Sequence, residues 1–417
     1  MVQEQTNSSM SKVKEDKLEY GFIQGLKHWW SRGNLAKAEN EILSGLPFYP
    51  ETNHKRIAEI KNVSISKSQY IHEFNVRNIE TSKKEDEKHV VLVHGYGAAL
   101  GLFIRNFEGL TEKPGVNLHA LDLLGYGLSS RPKLPKQRGS TLEDVHNVEG
   151  FFIDSMEKWR EESKIEKFNL IGHSFGGYLS ALYALKYPQH VEKLVLVSPV
   201  GVERSQFDLS SPHSTTTKAE VQGPDIEQEI GLHNKKTDEP VEKSSSLHVP
   251  DENGYVDRVP NLPWLMDLMW KRNMSPFTLI RGLGPWGASM ATNWSFRRFA
   301  FLEDHEMILK MHVYCYGTFA GKGSGEYALT RVLAPGALAK HPLLSRVPGN
   351  LKMPSLWMYG DVDWMSKEAG KFMTKKINET ATPETKAEYK VVSGAGHHLY
   401  LDNPDEFNDD VYKFFGW

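Results

Sequence analysis

Short runs of valine, leucine and isoleucine alternate with longer amphipathic segments through the first half of this chain. HVVLV, FNLIG and VEKLVLV are each typical of a buried strand, whereas GGYLSALYALKYP between the last two has helical spacing. Strands that are apolar along their whole length belong to a sheet that is covered on both faces. The order of strand, helix and strand therefore predicts an α/β fold, with a mainly parallel sheet and helices on both sides of it.

This alternation is interrupted once, which divides the chain into parts. Residues 51–203 and 351–417 carry the strand and helix pattern and are predicted to form two parts of one α/β core. Residues 204–350 between them have mostly helical spacing and are predicted to form an inserted helical cap. Within the cap, residues 210–253 are rich in Ser, Thr, Lys, Glu and Pro, so we expect a disordered insert there.

The N-terminal region has two parts of different composition. Residues 1–17 are polar and predict a disordered tail, whereas residues 18–50 contain apolar residues at helical spacing and the adjacent Trp29 and Trp30. One interpretation is a pair of short helices packed over the core. The other is a membrane contact through Trp29 and Trp30, because tryptophan suits the boundary between headgroups and acyl chains.

Composition excludes several classes of function. The formal net charge of -3 gives no basis for binding nucleic acid. Cys315 is the single cysteine, which rules out an internal disulfide and a zinc site built from several thiolates, and we expect no metal and no cofactor. The first residues lack the apolar core of a secretory signal, and no apolar run approaches the ~20 residues of a spanning helix, so we expect an intracellular protein.

The strongest local motif is the segment Gly172–Gly176, with sequence GHSFG, between a predicted strand and a predicted helix. This G-x-S-x-G arrangement is typical of a nucleophile elbow, in which a strained turn exposes the serine hydroxyl. Side chains at Gly172 or Gly176 would collide with neighbouring backbone. Ser174 is therefore the candidate nucleophile, and the Phe175 N–H at the helix start is a candidate oxyanion donor.

A nucleophilic serine needs a base and an orienting acid, which follow it in this order in the chain. MYGDVDWM supplies the acid after a strand, and we prefer Asp363 to Asp361 because it stands three residues after the strand-ending glycine. SGAGHHLYLD supplies the base after the next strand, and we prefer His397 to His398 because it directly follows the Gly-Ala-Gly loop.

The second oxyanion donor is expected from the loop after an early strand. The segment HGYGAAL fits this place, with the backbone N–H of Tyr96 or Gly97 as the donor and with Gly95 and Gly97 keeping the loop free of side chains. A plain tight turn is the alternative. The elbow and this loop occur in the expected order, which favours the oxyanion role.

A further pattern links His397 to Asp402, with the H-x4-D spacing found in glycerolipid acyltransferases. However, His397 is already assigned as the base. Asp402 precedes Asn403 and Pro404, so we interpret it as the N-cap of the last helix.

Taken together, these segments resemble one subfamily of α/β hydrolases, the abhydrolase-domain type 4 and type 5 lipid enzymes. The fungal cardiolipin-specific deacylases and lysophosphatidic acid acyltransferase-like proteins are similar. The resemblance extends over about residues 21–417 without the insert, and it rests on LVHGYGAALGLFIRNFEGL, NLIGHSFGGYLSALYALKYP, LAKHPLLSRV, MYGDVDWM and GAGHHLYLDNPDEF. It implies an α/β-hydrolase fold and phospholipid or lysophospholipid substrates.

The residues and the resemblance together predict a serine phospholipase, with cardiolipin as the candidate substrate. An acyltransferase that uses acyl-CoA and lysophosphatidic acid is the nearest alternative, and a non-catalytic lipid-surface adaptor that recruits a lipase is the alternative from another class. The resemblance implies a peripheral location at a membrane or lipid-droplet surface, in the mitochondrion or the cytoplasm. The sequence leaves the oligomeric state open.

Overall fold

A computed structural model describes residues 22–30, 34–80, 87–211, 250–257, 264–302 and 304–417. The predicted tail and most of the predicted insert lie outside these ranges. The helices and strands are α1 Phe22–Trp30, α2 Leu35–Leu43, β1 Arg56–Ser66, β2 Gln69–Asn78, β3 Lys88–Val93, β4 Val116–Leu121, α3 Leu142–Glu162, β5 Phe168–His173, α4 Phe175–Lys186, β6 Val191–Val197, α5 Trp264–Lys271, α6 Pro276–Gly282, α7 Pro285–Arg298, α8 His305–Ala320, α9 Leu329–Val332, β7 Leu333–Ala334, β8 Leu338–Ala339, β9 Ser355–Gly360, α10 Lys367–Asn378, β10 Ala387–Val392, α11 Leu399–Asp402 and α12 Pro404–Phe415.

An eight-stranded sheet lies at the centre, with strand order β1-β2-β4-β3-β5-β6-β9-β10. β2 pairs antiparallel with β1 and β4, and the other neighbouring strands of this sheet pair in parallel. In β3, Val90 and Leu92 belong to the core on one face, while Val91 and Val93 belong to the core on the other. The predicted α/β class with a mainly parallel, doubly covered sheet is confirmed.

Helices cover each face of the sheet with apolar side chains. α3, α4 and α10 pack on one face, where Phe152 and Leu179 are fully or almost fully buried. α2, α8 and α12 pack on the other face, where Ile42 and Tyr314 are buried. The carboxyl ends of the parallel strands consequently meet at one edge of the sheet, where the turns after them can bring distant residues together.

Helices α5 to α8 lie between β6 and β9 in the chain and form the cap. The N-terminal helices pack against it, α1 on α7 and α2 on α8. A Cβ atom on Gly25 of α1 would lie only 3.3 Å from the Pro285 carbonyl oxygen, so glycine allows α1 to approach α7 closely. The N-terminal segment thus packs against the cap through α1, and against both the cap and the core through α2. Of the helices in the described ranges, none has both the length and the apolar composition needed to cross a bilayer.

Candidate active site

The turn between β5 and α4 places Ser174 at the carboxyl edge of the sheet. Ser174 has φ 54° and ψ -118°, a backbone conformation that few non-glycine residues adopt. A Cβ atom on Gly172 would lie 2.6 Å from the Gly176 carbonyl oxygen, and one on Gly176 would lie 2.7 Å from the Val93 carbonyl oxygen. Both glycines are therefore required by the close approach of backbone around the turn.

The structure brings together the three residues selected as nucleophile, base and acid. His397 Nε2 lies 3.0 Å from Ser174 Oγ, and His397 Nδ1 lies 3.3 Å from Asp363 Oδ1. The side chains of His397 and Asp363 are buried, and Ser174 is also buried. The arrangement can transfer the hydroxyl proton of the serine to the imidazole, whose opposite nitrogen faces a carboxylate.

Sequence analysis missed Ser198, which lies between the base and the acid. Ser198 Oγ is 2.7 Å from His397 Nδ1 and donates a hydrogen bond of 2.5 Å to Asp363 Oδ2. It directly follows β6 with φ 46°, so its side chain reaches the edge at which the other strands end. A serine immediately after a buried strand, in VLVSP, was the available signal.

His173, the residue directly before the serine in the G-x-S-x-G motif, contacts the backbone of the candidate base His397. Its Nε2–H donates to the carbonyl oxygen of His397 at 3.0 Å, so it positions the backbone of the base. Burial lowers the pKa of His173 well below its ordinary value, and the neighbouring His397 lowers it further. His173 is consequently neutral and acts through position rather than charge.

Asp361 and His398, the alternatives to the selected acid and base, have other contacts. Asp361 accepts hydrogen bonds from the backbone N–H groups of Gly394 and Ala395, so it fixes the loop before the base. These bonds outweigh a partial desolvation and lower the pKa of Asp361. His398 lies beside the base, and its Nδ1 accepts a hydrogen bond from Arg298 Nε at 3.3 Å.

The capping interpretation of Asp402 is wrong. Asn403 is the N-cap of α12, since its side chain accepts from the Glu406 N–H at 3.3 Å. Asp402 ends the preceding short helix α11. Its Oδ2 accepts from the Gly396 N–H at 2.9 Å and its Oδ1 lies 2.8 Å from Arg298 Nη1.

The loop after β3 passes directly against the serine. A Cβ atom on Gly95 would lie 2.9 Å from Ser174 Cβ, and Gly97 has φ 68°, so both positions favour glycine. The backbone of Tyr96 between them thereby lies beside the nucleophile. Phe175 is the first residue of α4, so its N–H has no acceptor within the helix.

A buried histidine fixes this loop. His94 Nδ1–H donates to the Gly95 carbonyl oxygen at 2.7 Å, and its Nε2 accepts from the Leu123 N–H at 3.0 Å. Complete burial lowers the pKa of His94, although Asp122 opposes the shift. The neutral ring therefore ties the candidate oxyanion loop to the turn after β4.

An apolar cavity opens above Ser174, between the cap and the edge of the sheet. The described residues that line it carry no formal charge when His398 is neutral. Apolar and aromatic side chains dominate the lining, including Leu102, Phe277, Ile280, Met290, Trp294 and Phe319. Such a cavity suits a hydrocarbon chain.

One cluster in the described part of the chain has the composition of a metal site. Ligand atoms of Glu39, His72 and Asp122 lie within 4.8 Å of one another, and all three residues are buried. However, His72 Nε2 lies 2.7 Å from Glu39 Oε1 and His72 Nδ1 lies 2.7 Å from Asn62 Oδ1. Because both partners are acceptors, both ring nitrogens donate, and such an imidazolium has no lone pair for a metal.

Large apolar side chains are exposed on helices of the cap and of the N-terminal segment. Trp30 of α1 is 81% exposed, Trp264 of α5 is 76% exposed and Trp286 of α7 is 62% exposed. Trp29 is half-buried, because its ring packs near Gly284 at the start of α7. The cap and the N-terminal helix α1 therefore present tryptophan from three helices to their surroundings.

A model of the alpha/beta hydrolase fold matches residues 88–230. A 1-acylglycerol-3-phosphate O-acyltransferase of Arabidopsis thaliana is 31% identical over 343 residues, which are 81% of this chain and 68% of that protein. The chain belongs to the α/β-hydrolase family. The (lyso)-N-acylphosphatidylethanolamine lipase of Homo sapiens is 29% identical over 331 residues, 78% of each chain. The resemblance expected from the sequence is confirmed.

A solved structure shows the same fold at low sequence similarity. The carboxylesterase CesB of Bacillus subtilis aligns with a TM-score of 0.53 and 15% identity, over 92% of this chain and 98% of the other. This likeness supports the α/β-hydrolase fold. The family match and the relatives named as a lipase and an acyltransferase identify the chain as a lipid hydrolase or acyltransferase.

Proposed function

We propose that this protein is a serine acyl hydrolase that deacylates glycerophospholipids. The observation that carries the proposal is the hydrogen-bonded series from Ser174 through His397 to Asp363, at the base of an apolar cavity. Ser174 Oγ attacks the ester carbonyl carbon while His397 Nε2 takes the hydroxyl proton. When the carbon–oxygen bond of the ester breaks, His397 returns that proton to the leaving alcohol.

The second half of the reaction releases the fatty acid. Water attacks the acyl-enzyme and gives its proton to His397. The bond from the acyl carbon to Ser174 Oγ then breaks, and His397 returns the proton to Ser174 Oγ, which restores the free enzyme. Asp363 and Ser198 hold the imidazole with its Nε2 lone pair toward the serine. The backbone N–H groups of Tyr96 and Phe175 are assigned to the developing oxyanion, at about 3 kcal/mol each.

Lipid substrates are supported by the cavity and by the exposed tryptophans. An acyl chain matches the apolar lining above Ser174. The exposed Trp30, Trp264 and Trp286 are suited to a lipid surface, and Lys27 and Lys271 are exposed on the same helices α1 and α5. We therefore propose peripheral binding at a mitochondrial membrane or lipid droplet, with cardiolipin as one substrate.

Acyl transfer is the second candidate, because the Arabidopsis thaliana relative is named an acyltransferase. The same acyl-enzyme would form on Ser174 from acyl-CoA, with loss of the CoA thiol. The hydroxyl of lysophosphatidic acid would then replace water as the acceptor. His397 is hydrogen-bonded to Ser174 and to Asp363. The geometry therefore favours acyl transfer through Ser174 over acyl transfer by His397 and Asp402 without the serine.

The test combines active-site labelling with lipid mass spectrometry. In separate samples, the wild type, Ser174→Ala and Ser180→Ala are either treated with a fluorophosphonate probe or incubated with vesicles of phosphatidylcholine, phosphatidylethanolamine and cardiolipin. Ser180 is the matched control, because it lies buried in the same helix α4 and its hydroxyl is not part of the series. We expect labelling and lysolipid formation in the wild type and in Ser180→Ala, and neither in Ser174→Ala.

A parallel incubation with acyl-CoA and lysophosphatidic acid separates the two enzymatic candidates. Phosphatidic acid that forms only when Ser174 is present would establish transfer, whereas free fatty acid and lysolipid establish hydrolysis. If Ser174→Ala retained the wild-type products, the mechanism would be wrong. A folded wild type without labelling or turnover would favour the lipid-surface adaptor.

A further inference from the structure

Asp402 connects the loop of the catalytic histidine to the cap. Its Oδ1 lies 2.8 Å from Arg298 Nη1, and its Oδ2 accepts from the Gly396 N–H. Arg298 is the last residue of α7, so this ion pair joins a cap helix to the core beside the reacting groups. In the fold, the aspartate of the H-x4-D pattern therefore binds Arg298 of the cap.

Arg298 fixes the tautomer of the neighbouring histidine. Its Nε–H donates to His398 Nδ1 at 3.3 Å, and a guanidinium has no acceptor, so His398 Nδ1 must carry the lone pair. Burial lowers the pKa of His398 well below its ordinary value, and the charge of Arg298 lowers it further. His398 is consequently neutral, with its proton on Nε2.

The remaining N–H of His398, on Nε2, is available to a ligand in the cavity. No described residue hydrogen-bonds to His398 Nε2, and the ring lines the cavity together with Ser174. Arg298 Nη2, behind it, is also buried without a hydrogen-bond partner among the described residues. The His398 Nε2–H is therefore a donor in a mostly apolar lining, and the guanidinium of Arg298 lies on the other side of the ring. Such a donor favours an anionic oxygen of the ligand.

The reaction indicates which part of the substrate reaches this donor. In the proposed mechanism His397 Nε2 gives its proton to the leaving alcohol, so the glycerol and its phosphate approach that side of the site. The ring centres of His397 and His398 are 5.4 Å apart. A phosphate attached to the leaving glycerol therefore comes within reach of His398.

We propose that His398 Nε2–H donates a hydrogen bond to the phosphate of the glycerophospholipid, with Arg298 supplying the positive charge and Asp402 holding Arg298 in place. This inference rests on the proposed function and assigns its substrate class, a phosphate-bearing glycerol ester rather than a neutral glyceride. His398 is a binding residue in this scheme, and Arg298 and Asp402 are positioning residues. The tautomer also excludes His398 as a second base, because neither ring nitrogen offers a lone pair to the cavity.

The test compares two substrates that differ only in the phosphate. Hydrolysis of lysophosphatidic acid and of the monoacylglycerol with the same acyl chain is measured in uncharged detergent micelles, for the wild type, His398→Phe, His398→Gln and Arg298→Gln. Arg297→Gln is the matched control, because it removes the same charge from an adjacent, exposed residue of α7. Thermal unfolding of each variant monitors folding.

For His398→Phe and Arg298→Gln we expect kcat/KM on lysophosphatidic acid to fall about 10- to 100-fold, mainly through KM, the range for one hydrogen bond to a charged group. The monoacylglycerol should change less than about 3-fold. His398→Gln should recover part of the loss, since its amide N–H can reach the position of the imidazole Nε2–H. Arg297→Gln should behave as the wild type on both substrates.

Equal losses on both substrates, or no loss on either, would overturn the assignment of His398 to the phosphate. A wild type that hydrolyses neither substrate, or does so without Ser174, would instead overturn the proposed function, so the two failures are distinguishable. If His398→Phe does not fold, His398→Gln and Arg298→Gln make the same comparison between substrates.

Discussion

Two of the buried clusters in the described part of the chain that combine histidine with carboxylates differ in the group that faces the second ring nitrogen of the histidine. His397 lies between the Ser174 hydroxyl and the acceptors Asp363 and Ser198, at the edge of an apolar cavity. His72 lies between two acceptors, Glu39 and Asn62, among packed side chains. The first histidine can accept and return a proton, whereas the second is held in one protonation state.

This difference shows that composition alone does not make a catalytic site. Tyr314 of the cap donates to Glu39 Oε2 at 3.1 Å, and Asp122 accepts from the Leu100 N–H at 2.8 Å. The second cluster thus joins α2, the sheet and the cap through satisfied hydrogen bonds. We assign it to stability, because breaking one member of a buried ion pair leaves an uncompensated charge.

The largest expected effect distinguishes the two aspartates that follow β9. Asp363→Asn should lower kcat by about 10⁴-fold, because an amide no longer holds the imidazole in the reactive tautomer. Asp361→Asn, the comparison variant, should lower kcat about 10-fold or less, because it removes one of the two backbone hydrogen bonds that fix the loop before the base and leaves the partner of the imidazole in place. Steady-state ester hydrolysis measures both, and comparable losses would remove the distinction between the two residues.

The second prediction tests the stabilising role of the cluster formed by Glu39, His72 and Asp122. Glu39→Gln should lower the free energy of unfolding by about 3–5 kcal/mol, because the buried His72 loses its charge partner. Glu41→Gln on the exposed side of the same helix should change it by less than about 0.5 kcal/mol. Urea unfolding gives both values. A large loss of kcat in folded Glu39→Gln would contradict a purely structural role.

A smaller effect is expected at Ser198. Ser198→Ala removes the hydroxyl that bridges the base and the acid, but Asp363 Oδ1 still faces His397 at 3.3 Å. We expect kcat to fall about 10-fold with little change in KM, the cost of one hydrogen bond. A loss as large as that of Asp363→Asn would mean that the carboxylate acts only through Ser198.

The smallest effect is a pH dependence of stability. Burial alone would lower the pKa of His72, but the hydrogen bond and charge of Glu39, with the charge of Asp122, outweigh it and raise the pKa above 6.5. A raised pKa in the folded state stabilises the protein fully below 6.5, and the contribution is lost as the pH rises through the folded value.

Unfolding of the wild type and of His72→Gln between pH 6 and pH 9 measures this contribution. The difference in unfolding free energy between them should shrink as the pH rises. A difference that stays constant, or grows with pH, would show that His72 is not charged in the folded protein.

Much of the fold and part of the candidate site could be predicted from the sequence. The glycines around Ser174 and the apolar strands are local signals, because backbone collisions and burial on both faces restrict residues near in sequence. The order of serine, acid and histidine selected Asp363 and His397, which the structure brings to Ser174.

Other features were decided only by tertiary structure. Ser198 enters the site because parallel strands end at one edge, and Asp402 pairs with Arg298 because the cap folds back over that edge. The role of His398 depends on that same arginine. Local patterns determine the strands, helices and turns, whereas hydrogen-bond partners far apart in sequence are determined only when packing fixes the distances between side chains.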